Sequence, residues 1–246
     1  AGDPTPEMPV ELMHGMVDAG ASIIELGFPF SDPEAEGPVI QAGHERARAH
    51  DTTLTDTLEM VRQFRGEDQD TPVILMGYVN PVEVMGYERF ADAAAGAGVD
   101  GMILVNMPPE EGEVPGRIFE ERQIDTVYLL APTTSPERAA YICKKSRGFV
   151  YYVSLKGVTG ASTLNVDEVK SRVELYRDIC DLPLAVGFGI KDGESAGAVA
   201  GIADGVVVGS ALVQIIGDNV TRPDQIVPGI KKLIGEMRQA IDSATC

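Results

Sequence analysis

Short apolar runs recur along the 246-residue chain, each preceded by small residues and an Asp or Ser. The unit appears as Ala19-Gly20-Ala21-Ser22 before Ile23-Ile24-Glu25-Leu26 and as Ala97-Gly98-Val99-Asp100 before Met102-Ile103-Leu104-Val105. It returns as Gly201-Ile202-Ala203-Asp204 before Val206-Val207-Val208. Gly ends helices because it accepts a left-handed backbone, and short apolar runs bounded by turn residues read as buried strands. Further runs at Val73 to Met76, Thr126 to Leu130, Phe149 to Val153 and Leu184 to Val186 bring the predicted strands to seven. Between them the spacing turns helical, as in Leu54, Leu58, Val61 and Phe64, or Ile226, Ile230, Leu233, Ile234 and Met237.

Strands alternating with helices predict a parallel sheet. No GxGxxG follows any strand, which argues against an open dinucleotide-binding sheet. Seven β/α units over this length favour a (β/α)₈ TIM barrel, with one strand still to be found. The expectation is one domain over residues 1–246, since no linker or low-complexity run divides the chain.

Charge and composition narrow the function. A formal charge of −18 without basic clusters disfavours nucleic acid as a partner. No apolar stretch approaches the length of a membrane span, and the reading is a cytoplasmic protein. Cys143, Cys180 and Cys246 form no CxxC pair, and His14, His44 and His50 show no metal-ligand spacing, so no metal is expected.

In a parallel barrel the chemistry sits at the C-terminal ends of the strands. Period-two geometry puts Ile23 and Glu25 on one face of their strand and Ser22, Ile24 and Leu26 on the other. An inward Glu25 would lie among apolar neighbours, and desolvation would raise its pKa toward that of a general acid or base. The alternative is a buried structural ion pair. The loop from Phe28 to Gln41 adds Asp32, Glu34 and Glu36 within reach, either as part of a site or as a solvated acidic turn. Tyr78 and Tyr151 read either as pocket walls with polar tips or as ordinary core. Glycines close the last strands at Gly157 and Gly160, at Gly187-Phe188-Gly189, and at Gly209-Ser210. Each could be a tight turn, but in succession they suggest backbone amides and a helix N-terminus arranged for phosphate. Asn106-Met107-Pro108-Pro109-Glu110-Glu111 reads equally as an interface loop or as a helix start.

Taken together, these residues resemble tryptophan synthase α subunits along essentially the whole chain. Glu25-Leu26-Gly27-Phe28-Pro29-Phe30-Ser31-Asp32-Pro33, continuing to Gly37-Pro38-Val39-Ile40-Gln41, is similar to the family signature ELGxPFSDPxADGPxIQ. Gly157-Val158-Thr159-Gly160, Gly187-Phe188-Gly189 and Gly209-Ser210 follow in the family's order. The resemblance implies retro-aldol cleavage of indole-3-glycerol phosphate to indole and glyceraldehyde 3-phosphate. It assigns Glu25 and Glu36 to catalysis, and Tyr78, Tyr151, Gly160, Phe188, Gly189, Gly209 and Ser210 to substrate binding. It implies no cofactor in this chain, pyridoxal phosphate belonging to a partner β subunit, and an α₂β₂ heterotetramer.

Three departures accompany the match. Glu36 stands where the family has Asp, Asn106 replaces an acid, and the chain opens at a segment resembling the one just after the family's first strand. The eighth strand is accordingly expected upstream of residue 1, and strands flanking such a gap would have costly bare edges. Two other readings remain at this stage: a related phosphate-binding barrel of another biosynthetic step, and a weakly active subunit whose main task is to bind and activate a β subunit.

Overall fold

The computed structural model describes residues 1–154, 166–187 and 189–244. Its first half runs α1 (Met8–Asp18), β1 (Ile24–Gly27), α2 (Pro38–Arg48), α3 (Leu54–Arg65), β2 (Val73–Gly77), α4 (Val79–Met85), α5 (Tyr87–Ala97), β3 (Gly101–Leu104), α6 (Glu113–Glu121) and β4 (Asp125–Thr126). The second continues β5 (Leu129–Leu130), α7 (Pro136–Lys145), β6 (Val150–Val153), α8 (Val166–Arg177), β7 (Leu184–Gly187), α9 (Gly193–Ala200), β8 (Gly205–Val207), α10 (Ser210–Asp218) and α11 (Ile226–Ala244).

All strand pairs are parallel, in the orders β1-β2-β3-β4 and β5-β6-β7-β8. The run Thr126 to Leu130, predicted as one strand, is assigned as two short ones. Its backbone explains the split. Val127 N–H donates to Met102 C=O at 3.0 Å, while Tyr128 C=O accepts from Tyr151 N–H at 3.2 Å. Pairing therefore passes from β3 to β6 within one extended segment, and the two sheets are joined through it. Residues of every strand line one shared cavity, so the sheet curls into a barrel and does not lie open. Among the described residues, β1 and β8 each pair with a single neighbour. In the helical layer α11 packs on α1, α9 and α10, and α10 on α2.

Period-two alternation sorts the strand side chains into two layers. Ile74, Ile103, Val127 and Tyr151 point inward with Met76, Val105, Leu129 and Val153. Their neighbours Val73, Leu75, Met102 and Leu104 point outward, against Leu58, Val61, Phe64, Phe90 and Phe119 of the helices. A second outer cluster joins Leu130, Val150, Tyr152, Leu184 and Val186 to Val173, Tyr176, Val199 and Met237.

The recurring small-residue turns show why an Asp follows them. Asp100 Oδ2 accepts from Val73 N–H at 2.7 Å and pairs with Arg65 at 2.6 Å. Asp204 repeats the device, accepting from Leu184 N–H at 2.9 Å and pairing with Arg177 at 2.9 Å. Each Asp satisfies the first donor of the adjacent strand, a group that would otherwise lack a partner at the sheet's rim. Gly98 closes α5 in the left-handed conformation, φ +88°. Gly201 departs from that prediction and closes α9 at φ −69°, an ordinary right-handed geometry. Among the described residues no helix is long and apolar enough to cross a membrane.

Candidate active site

The barrel interior is a cavity of 1270 Å³ that extends toward the inner faces of α1 and α11. Glu25 lies on its wall. β1 buries Ile24 and Leu26 against the helices and turns Glu25 to the interior, which resolves the strand-face alternatives in favour of an inward carboxylate. The Glu25 side chain is exposed within the cavity, and the protein around that cavity desolvates its carboxylate. Desolvation, with a smaller contribution from the Glu36 carboxylate, pushes its pKa up to about 7. Among the described residues no Lys, Arg or His pairs with it, so a buried ion pair does not account for its position.

Glu36 arrives from the loop between β1 and α2. Phe28 begins that loop fully buried, its ring seated on Gly77, where a Cβ would come within 2.2 Å of it. Phe30 then stacks on Tyr78 at 5.0 Å between centroids, and its N–H donates to His44 Nδ1 at 2.9 Å. Ala35 N–H donates to the Tyr78 hydroxyl at 3.0 Å. Gln41 Nε2 donates to Glu36 C=O at 2.9 Å and reaches Pro33 C=O at 3.5 Å. These attachments leave Glu36 half-buried on the cavity wall, where desolvation raises its pKa. Asp32 and Glu34 are exposed, in keeping with a solvated turn.

Tyr151 joins the two acids. It is buried, and its phenol is held well above its usual pKa by desolvation and by the charges of Glu25 and Glu36. Its hydroxyl lies over Gly187, where a Cβ would come within 2.2 Å. Tyr78 also lines the cavity, its pKa raised to about 12 chiefly by desolvation, but its hydroxyl is already engaged with the loop. Val105, Val127, Leu129 and Val153 supply an apolar wall to the same cavity.

Gly189, at φ +78°, Gly209 and Ser210 line the cavity as well. Gly209 is the N-cap of α10 and has open space where a side chain would stand, so the first turn of the helix faces the cavity. Gly160 and Phe188, and with them Gly157, Val158 and Thr159, lie outside the described residues. The stretch from Asn106 to Glu111 precedes α6 as a loop, not a helix start. Asn106 Oδ1 accepts from Val79 N–H at 2.8 Å and its amide reaches Asn80 at 3.3 Å, tying the loops after β2 and β3 together. Among the described residues no cluster of His, Cys, Asp and Glu has the makings of a metal site.

Sequence reasoning overlooked His44 by testing it only for metal-ligand spacing. Helical spacing from Ile40 would have found it, because Ile40, His44 and Ala47 share the face of α2 that lines the cavity.

Comparison with known proteins agrees with this arrangement. The pattern of the family described as "Tryptophan synthase alpha chain" matches residues 1–242. A tryptophan synthase α chain from Marinobacter nauticus is 55% identical over 243 residues, covering 99% of this chain and 90% of that one. The crystal structure of tryptophan synthase subunit α from Legionella pneumophila superposes with a TM-score of 0.91 at 47% identity, covering 99% of this chain and 90% of its own. A chain of the tryptophan synthase α₂β₂ complex from Pyrococcus furiosus gives 0.88 at 37% identity, covering 96% and 94%. These neighbours share the (β/α)₈-barrel fold. With the family pattern spanning nearly its entire length, the chain belongs to the tryptophan synthase α chain family.

Proposed function

We propose that Glu25 and Glu36 are the two working acids of this chain, and that Gly189, Gly209 and Ser210 seat the substrate phosphate. The chain is a carbon-carbon lyase of tryptophan biosynthesis, and its family's reaction cleaves indole-3-glycerol phosphate to indole and glyceraldehyde 3-phosphate. The observation that carries the residue assignment is the placement of two carboxylates with raised pKa values and a helix N-terminus on one cavity.

The chemistry follows from that placement. The indole N–H donates to the Glu36 carboxylate, which stabilises positive charge on nitrogen as C3 of the ring gains a proton. The glycerol hydroxyl next to the ring then loses its proton, its C–O bond becomes the aldehyde, and the electrons of the breaking C–C bond return to the ring. A carboxyl poised near pH 7 both gives and takes protons effectively, and Glu25 has that value. The apolar wall suits the indole ring, with Tyr151 beside it. Phosphate at the first turn of α10 needs no basic side chain, because exposed amides and the helix dipole favour an anion. Gly160 and Phe188 complete the proposed binding set by family resemblance. No step calls on a cofactor held by this chain.

The Pyrococcus complex supports a β subunit as partner, and we extend that to an α₂β₂ heterotetramer of cytoplasmic location, each α subunit acting as one barrel domain over residues 1–246. Indole release by the purified chain, measured alone and with a β subunit, tests the reading. Cleavage in both, faster with the partner, is the expected result. Activity confined to the complex with Glu25→Gln as fast as wild type would overturn the residue assignment.

A further inference from the structure

We propose that His44 is a positioning residue for this reaction, latching the loop that carries Glu36 to helix α2 through the Phe30 N–H. The inference rests on the assignment of Glu36 as a working acid. Phe28 is fixed by burial at the start of the loop, and Ala35 and Glu36 are fixed at its end by Tyr78 and Gln41. Between these anchors stand Pro29 and Pro33, which have no N–H to donate, and the exposed Ser31 and Asp32. Phe30 is where the middle of the loop is held, by its ring on Tyr78 and its N–H on His44.

The bond is specific in its chemistry. The Phe30 N–H requires an acceptor at Nδ1, so the imidazole is neutral with its proton on Nε2. Burial pushes the His44 pKa down to about 4, which keeps the ring in that acceptor form at neutral pH. Without the latch, the half-buried Phe30 amide loses its partner and the loop settles elsewhere. A shift of about 1 Å in a catalytic group costs on the order of 100-fold in rate.

Replacement at His44 separates this role from mere filling of space. Asparagine places its amide oxygen where Nδ1 stands, whereas glutamine carries it one methylene farther and leucine removes it. His44→Asn should keep kcat within about threefold of wild type, and His44→Gln and His44→Leu should lower kcat by about 10- to 100-fold with KM nearly unchanged. Amide hydrogen exchange over residues 28–37, followed by mass spectrometry, should quicken in the Gln and Leu variants and stay slow in Asn. Full activity in His44→Gln overturns the proposal, as does His44→Asn no faster than His44→Gln. If His44→Leu fails to fold, the Asn and Gln pair decides alone. Failure of the underlying assignment shows separately, as a fully active Glu36→Ala protein.

Discussion

Two parts of the cavity wall, one bearing the acids and one the glycines, are built from different materials. In the acid part every functional group is a side chain, carried on β1 or its loop, and each attachment of the loop to Tyr78, His44 and Gln41 is spelled out in side-chain hydrogen bonds. In the other the candidate groups are backbone, exposed by Gly189 after β7 and by Gly209 at the start of α10. Proton transfer needs a group whose pKa the surroundings can tune, so it must employ a side chain and control its burial. Holding an anion needs only donors that point the right way, and glycine supplies them by leaving the backbone bare. The acid part should therefore be sensitive to charge and reach, and the glycine part to bulk.

The largest effect belongs to Glu25. Glu25→Gln should lower kcat by on the order of 10⁴-fold, and kcat/KM of wild type should turn over near pH 7 while the variant's residual rate does not. The same substitution should alter stability in the opposite sense. Below pH 4.5, its usual value, Glu25 is protonated in the folded and the unfolded chain alike. As pH rises from there to about 7, the unfolded chain releases the proton while the fold retains it, so stability falls across that window and stays lost above it. Thermal unfolding of Glu25→Gln at pH 8 should occur at a higher temperature than wild type, with the difference vanishing near pH 4. A lower Tm at pH 8 would mean that Glu25 is stabilised by a partner.

Glu36 comes next. Glu36→Ala should reduce kcat by roughly 100-fold or more, whereas Glu36→Asp should retain or improve the rate, since the loop that supports it can follow a slightly different path. Steady-state rates of the two variants decide whether this position acts through its charge or only through its place in the loop.

Bulk in the glycine part should do less to the chemistry. Gly189 has φ +78°, which costs a branched residue about 1–3 kcal/mol in addition to the intrusion of its side chain. Gly189→Val should raise KM for indole-3-glycerol phosphate by at least ~10-fold with a smaller loss in kcat. An unchanged KM would move the phosphate to another part of the cavity.

Much of this arrangement was legible in the residues. Alternation along Ile23 to Leu26 separated Glu25 from Ile24 and Leu26, although only the packing of Ile24 and Leu26 on the helices shows which face is interior. The run from Thr126 to Leu130 was legible as extended chain, but its change of partners depends on two strands distant in sequence. Tyr78 was open between pocket wall and core, and its hydrogen bond to Ala35 depends on a loop path that no periodicity encodes. The tie from Asn106 to Val79 is of the same kind, a contact between the ends of neighbouring strands. Local pattern reveals faces and turns, and contacts between loops emerge only when the barrel brings strand ends together.

The paired clamps, Arg65 with Asp100 and Arg177 with Asp204, hold strand starts, at the rim opposite the strand ends from which the Glu36 loop, Gly189 and Gly209 follow. In barrels of this type that face answers for robustness and the other for chemistry. Heat tolerance and turnover are thus written in separate places. A lineage adapting to a warmer or saltier habitat has a rim it can rework, residue by residue, with the reaction left as it was.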